Sequence, residues 1–125
     1  MILYYTPDIK KEKQIKELCR KMQIQTRALK SSDLNVEVGV LAGLGGVTAK
    51  EHTKAPEGYP LPEVLIFSGF PDELLDSFLA AYKEEGIAPI GLKAVLTVHN
   101  RTWTLYELTL ELMRERMAFM MRRRG

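Results

Sequence analysis

Side chains that could bind or react with a ligand concentrate in two short segments, each directly after an apolar run. The first segment holds Ser68, Gly69, Phe70 and Asp72, and the second holds Thr97, His99, Asn100 and Arg101. Each segment also precedes a predicted helix, whose first N–H groups are unpaired and favour anions. We therefore predict a ligand-binding edge made of these residues, with a small anionic ligand as the expected occupant.

Acid–base chemistry at this edge would depend on His99, because an imidazole titrates near neutral pH. In the enzymatic hypothesis His99 acts with Ser68, Asp72 or Arg101 on an anionic substrate. No spacing in the sequence assigns His99 a partner. The preferred interpretation is a non-catalytic ligand-binding, protein-binding or regulatory domain, and a small enzyme is the alternative.

The other residues with metal-binding or catalytic potential lack the spacing that such sites need. His52 and His99 form no metal-ligand pattern, and Cys19 lies on the apolar stripe of a predicted helix, where a thiol acts as a small hydrophobe. The glycine-rich segment 43–46 has neither the lysine–hydroxyl ending of a phosphate loop nor the order of a dinucleotide site. We expect neither a metal nor a cofactor.

Composition and charge narrow the function classes further. The 125 residues, 46% hydrophobic and 27% charged, are typical of one globular domain. No run approaches the about 20 apolar residues of a membrane helix, and the chain starts without a signal-peptide layout, so we expect a cytoplasmic protein with no membrane partner. Residues 1–30, 31–100 and 101–125 carry net charges of +5, −6 and +3. Glutamates alternate with the lysines of the first helix, so nucleic-acid binding is not expected.

Apolar patterning predicts four strands and at least three helices. The strands are Ile2–Tyr5, Ile24–Leu29, Val64–Phe67 and Pro89–Val98, and the helices begin at Thr6-Pro7, at Pro71-Asp72 and at Thr104. In residues 31–41, Leu34, Val38 and Leu41 fit a short helix, whereas Val36, Val38 and Val40 fit a strand. Residues 50–62, with three prolines, predict an exposed loop.

This order predicts a single α/β domain over residues 1–125, with three layers, a four-stranded sheet and the order β-α-β-(α)-β-α-β-α. A first β-α-β unit covers about 1–30, an irregular connection 31–62, and a β-α-β-α unit 63–125. If residues 31–41 are helical, all four strands can be parallel; otherwise an α+β ferredoxin-like sheet with an extra C-terminal helix is favoured. In both cases the last two strands are parallel and bring the polar segments to one edge. In the all-parallel sheet the Thr6–Asp8 turn joins them.

The last helix carries the clearest local signals. Thr104 and Glu107 have the spacing of a capping box. One apolar stripe, Leu105, Leu108 and Leu112, can cover the sheet. A second stripe remains for a partner, and we predict a homodimer through Tyr106, Leu110, Met113, Met117 and Met120.

Part of the sequence resembles a known family. The segments Leu65-Ile66-Phe67-Ser68-Gly69-Phe70, Leu92-Lys93-Ala94-Val95-Leu96-Thr97, and Asn100 with Trp103-Thr104 resemble the uncharacterised domain of unknown function 3783, found in small proteins of anaerobic, mostly clostridial, bacteria. The resemblance covers somewhat under half of the chain. It implies a bacterial cytosolic protein and assigns no reaction.

Overall fold

The computed structural model describes residues 1–46, 48 and 50–124. Its strands are β1 (Ile2–Tyr5), β2 (Thr26–Ala28), β3 (Val64–Phe67) and β4 (Leu92–Val95). Its α-helices are α1 (Ile9–Lys21), α2 (Val38–Leu41), α3 (Asp72–Glu84) and α4 (Leu105–Arg124), and a short 3₁₀ turn covers Ser31–Asp33. The predicted α/β class is confirmed.

The four strands form one mixed sheet in the order β2-β1-β3-β4. β1 pairs in parallel with β2, and β3 pairs in parallel with β4, with Phe67 opposite Val95. β1 and β3 are antiparallel, with Ile2 opposite Phe67 and Tyr5 opposite Val64. The all-parallel arrangement is therefore wrong, although residues 38–41 are helical.

The direction of β1 also corrects the expected position of the Thr6–Asp8 turn. Tyr5 ends β1 beside Val64, at the start of β3, so the turn lies at the edge opposite Ser68. There Lys11, which is buried, pairs with Glu63 at 2.9 Å and donates to the carbonyl of Pro89. The Thr6 hydroxyl also donates to Glu63, so the turn lies beside this half-buried ion pair, which joins α1 to the start of β3.

The sheet separates two apolar layers because successive strand residues face opposite sides. Ile2, Leu65 and Phe67 face α1 and α3, whereas Leu3, Val64 and Ile66 face α2 and α4. Every residue of β3 is buried, as expected for an interior strand covered on both faces. The result is the predicted three-layer arrangement, with α1 and α3 on one side of the sheet and α4 on the other.

The long connection between β2 and β3 contains little regular structure. The helical alternative holds at Val38–Leu41, although that helix is a single turn, and Val36 belongs to no strand. Leu34, Val38 and Leu41 are buried in the same apolar layer as α4. This helix is too short to act as a crossover helix along the sheet, and β3 enters antiparallel to β1.

The observed starts of α1 and α4 can be compared with the starts that the sequence predicts. α1 begins at Ile9 with Asp8 as its N-cap, and the Asp8 carboxylate accepts from the N–H of Lys11 at 3.1 Å; the predicted start at Thr6-Pro7 is two residues too early. The capping box of α4 is confirmed: the N–H of Thr104 donates to Glu107 at 2.9 Å, and the N–H of Glu107 donates to the Thr104 hydroxyl at 3.2 Å.

Candidate functional site

The two polar segments do lie at one edge of the sheet. The N–H of Leu96 donates to the carbonyl of Phe67 at 2.8 Å, so the chain leaves β3 and β4 side by side. Ser68 also holds the start of the chain, because its N–H donates to the carbonyl of Met1 and its carbonyl accepts from the Met1 ammonium at 3.0 Å. The parallel pairing on which the predicted edge depends is thus present.

The side chains at this edge mostly shape the turns that carry them. The Asn100 amide accepts from the N–H of Thr97 at 2.8 Å and donates to the carbonyl of Val95 at 3.1 Å, while the Thr97 hydroxyl accepts from the N–H groups of His99 and Asn100. His99 is exposed, and its ring lies edge-on to Trp103 with 5.5 Å between centroids. These contacts form a compact local loop.

The rest of the predicted set does not surround a common cavity. Ser68 is buried, Gly69 takes a left-handed turn at φ +71°, and Phe70 packs against Phe67. Asp72 is exposed at the start of α3. Among five clefts of about 210 to 730 Å³ on the described part of the chain, one, of about 220 Å³, includes a member of the set, Arg101.

That cleft adjoins a group of charged side chains that the sequence does not single out. We call Glu37, His52 and Glu107 the histidine cluster. Nε2 of His52 lies 2.8 Å from Glu37, and Nδ1 lies 2.8 Å from Glu107. The Thr48 hydroxyl donates to Glu37 at 2.6 Å, and the N–H of Thr53 donates to Glu107 at 3.1 Å. The Glu37 side chain is 3% exposed and that of His52 16%.

The geometry of the cluster fits a doubly protonated imidazole between two ionised carboxylates. Each ring nitrogen faces a carboxylate oxygen, and both carboxylates can accept only if both nitrogens carry a proton. The hydrogen bond to Glu37 and the bond to Glu107 raise the pKa of His52, and burial opposes them. The Thr48 hydroxyl and His52 lower the pKa of Glu37. Burial would raise the pKa of Glu107, but N–H donors from Thr104 and Thr53, together with His52, lower it.

The histidine cluster fixes the long connection to the rest of the fold. Glu37 precedes α2, Glu107 is in the first turn of α4, and His52 lies in the loop between α2 and β3. Sequence reasoning missed the cluster because Glu37 and Glu107 are 15 and 55 residues from His52. The capping box is the one local sequence pattern that includes a member of the cluster. It predicts the contact of Glu107 with Thr104 at the start of α4 and says nothing about His52.

The second stripe of α4 is covered at one end only. Tyr106 is 8% exposed and packs edge-on against Tyr59 of the long connection, at 4.8 Å between centroids. It therefore belongs to the core. Leu110 and Met113 are half-buried against the core, whereas Met117 and Met120 are 64% and 53% exposed.

The two helices that contain the basic ends of the chain pack on different faces of the sheet. α1 packs on one face of the sheet and α4 on the opposite face. A single basic face shared by the first and last helices, as a nucleic-acid site would require, is not formed by these two elements.

The described residues contain neither a metal-binding group nor a membrane-spanning helix. Residues 1–46, 48 and 50–124 bring together no group of three His, Cys, Asp or Glu side chains able to hold a metal ion. In the same ranges no helix is long and apolar enough to cross a membrane.

Comparison with known proteins identifies one family. Residues 63–119 match a domain of unknown function (DUF3783), which confirms the resemblance noted from the sequence. The match begins just before β3 and ends within α4, so it contains Glu107 and the exposed part of the helix but neither Glu37 nor His52. No curated protein and no solved structure matches the chain.

Proposed function

We propose that this chain is a non-catalytic protein-binding domain, and that two copies pair through the outer side of α4. The family resemblance adds to the proposal a bacterial, clostridial source and a cytoplasmic location. The observation that carries it is the apolar stripe Leu110, Met113, Met117 and Met120, which continues along α4 away from the sheet and becomes more exposed toward the end. Exposed apolar rows on a helix generally belong to an interface.

The spacing of the apolar stripe suits another helix as its partner. Its four members follow one another at intervals of three, four and three residues, which is the repeat of two-stranded helical packing. Methionine side chains are flexible and adapt to one another across such a contact. Burying each exposed methionine contributes about 1.5–3 kcal/mol at most, so a stripe of this length fits a modest, reversible association.

Charge favours an antiparallel pair. The first eight residues of α4 contain two glutamates and no basic residue, while the last twelve contain five arginines and one glutamate. A parallel pair would place the two basic ends together, and like charges at close range repel. An antiparallel pair related by a two-fold axis places each basic end beside the acidic half of the other helix.

The enzyme alternative has less support. It needs His99, Ser68, Asp72 and Arg101 to converge on one pocket. In the described structure His99 contacts Trp103, Ser68 is buried, and Asp72 is exposed at a helix start. Of the two functions, protein binding is therefore the better supported.

Light scattering over a range of concentrations tests the proposal. We expect the mass to rise from 14.2 kDa toward twice that value as concentration increases. Met117→Glu should raise the dissociation constant at least about tenfold, because it places a carboxylate in the apolar contact. Ala80→Glu adds the same charge to an exposed position of α3, on the other face of the sheet, and should leave the association unchanged.

Two results would contradict the proposal. One is a mass of 14.2 kDa at every concentration up to the millimolar range. The other is an association that Met117→Glu and Ala80→Glu weaken equally, because a change of net charge alone would then explain both.

A further inference from the structure

A second surface lies between β4 and the side of α4 that faces the sheet. It is a groove of about 530 Å³, with Gly91, Leu92 and Lys93 on the strand side and Leu112, Arg116 and Phe119 among its residues on the helix side. Arg116 lies directly over Gly91, since a Cβ added to that glycine would fall 1.5 Å from its Nη1. The absence of a side chain at Gly91 therefore makes room for the guanidinium at this end of the groove.

The strand side of the groove is an open sheet edge. Among the strands of the described residues, β4 is the last of the sheet and has β3 as its one neighbour. The N–H of Leu96 faces β3, and backbone groups alternate along a strand, so the N–H and carbonyl of Lys93 and those of Val95 face away from it. The carbonyl of Val95 accepts from Asn100, in agreement with this alternation. An extended chain beside β4 would meet both polar groups of Lys93 and the N–H of Val95.

The side chains at the groove indicate the chemistry of such a chain. Lys93 is exposed, and neither Lys93 nor Arg116 forms an ion pair within the part of the chain that is described. Leu92 and Leu112 supply an apolar floor. Lys93 is paired in register with Leu65, so its side chain lies on the sheet face opposite this floor, which gives the edge one apolar side and one cationic side.

The geometry points to this groove as the site for an extended acidic peptide, which adds to β4 as a fifth strand beneath the end of α4. Main-chain hydrogen bonds to Lys93 and Val95 hold the peptide. Its apolar residues face the floor, and its carboxylates, which alternate with them, face Lys93 on the opposite side of the sheet. This is a different surface from the apolar stripe, although Met120 lies at the border of both. It does not depend on self-association.

Binding of a labelled peptide provides the test. The probe is a fluorescein-labelled hexapeptide of alternating glutamate and valine, titrated by fluorescence polarisation, and the control is the same peptide with lysine in place of glutamate. We expect saturable binding of the acidic peptide only. In ¹H–¹⁵N spectra the amide signals of Lys93 and Val95 should shift, and those of α1 and α3 should stay in place.

Variants at one position separate the backbone contribution from the charge. Lys93→Pro removes the outward N–H without removing a bond to β3 and should weaken binding at least about tenfold, since proline is tolerated at sheet edges. Lys93→Ala keeps the N–H and loses the charge, so we expect a loss of about threefold. Met117→Glu, which tests the dimer, should bind the peptide as the unchanged protein does.

If Lys93→Pro does not fold, modified peptides provide the test with the unchanged protein. In one modified peptide the backbone nitrogens of the glutamates are methylated, and in the other those of the valines. One of the two should lose binding and the other should keep it, because alternate N–H groups of an added strand face β4. The inference is wrong if both methylated peptides bind like the parent, if the lysine peptide binds equally, or if the acidic peptide does not bind at 1 mM. It is also wrong if Lys93→Pro converts a dimer into a monomer, because the edge would then belong to a second copy.

Discussion

At the scale of single residues, His52 is the most informative side chain. Its imidazolium is largely shielded from solvent between two carboxylates, an arrangement that is favourable only while the ring stays charged and keeps both hydrogen bonds. Losing one proton would leave a ring lone pair facing a carboxylate oxygen at 2.8 Å. The attachment of the long connection to α2 and α4 therefore depends on the protonation of one residue.

The stability of the fold should depend on pH through this residue. The pKa of His52 is raised above its ordinary value of 6.5 in the folded chain, so its contribution is complete below about pH 6.5 and is lost as the pH rises through the folded-state pKa. The pKa values of Glu37 and Glu107 are lowered from 4.5, so their contribution is lost as the pH falls below about 4.5. The cluster should stabilise the fold most between these limits.

Urea denaturation of paired variants measures this dependence. We expect the difference in free energy of unfolding between the unchanged protein and His52→Gln to be largest near pH 5.5 and to shrink toward pH 9. His99→Gln removes the exposed histidine and serves as the control, with a pH profile like that of the unchanged protein. A difference that stays constant from pH 5.5 to 9 would contradict this account, because it would mean that folding does not raise the pKa of His52.

At the scale of elements, α4 joins the two surfaces and the histidine cluster. On the side that faces the sheet, α4 buries Leu105, Leu108 and Leu112. Its first turn supplies Glu107, and its second half extends past Gly91. The start of the helix is fixed by the capping box, whose glutamate also holds His52. A weakened helix start should therefore loosen the long connection as well.

Thr104→Ala tests this link. The Thr104 side chain is buried and accepts from the N–H of Glu107, so its removal should cost about 1 kcal/mol and lower the melting temperature by about 4 °C. Thr104→Ser keeps the hydroxyl and should recover most of this loss. Hydrogen exchange of the amide of Thr53, which donates to Glu107, should also accelerate in Thr104→Ala; unchanged exchange would mean that the two segments are not coupled.

At the scale of the whole molecule, the second half of the chain was the more predictable. β3, α3 and β4 have continuous apolar runs or helical periodicity, and the direction of β4 follows from the general rule for strand–helix–strand units. The direction of β1 relative to β3 could not be derived from the sequence. It depends on the path of the 35-residue connection between β2 and β3, which has little regular structure. The histidine cluster depends on contacts 15 and 55 residues apart, which no local pattern encodes.

The central claim, pairing of two copies through the apolar stripe, is tested most directly by cysteine cross-linking. Burial raises the pKa of Cys19 to about 11, so the native thiol should stay unreactive beside an introduced one. Met117→Cys lies on the stripe, and Ala80→Cys is an exposed control on α3. A bismaleimide reagent spans the offset between the two Met117→Cys positions of an antiparallel pair, so at micromolar concentration we predict a covalently linked dimer that forms at least about tenfold faster than for Ala80→Cys. Equal rates for the two variants would contradict the account.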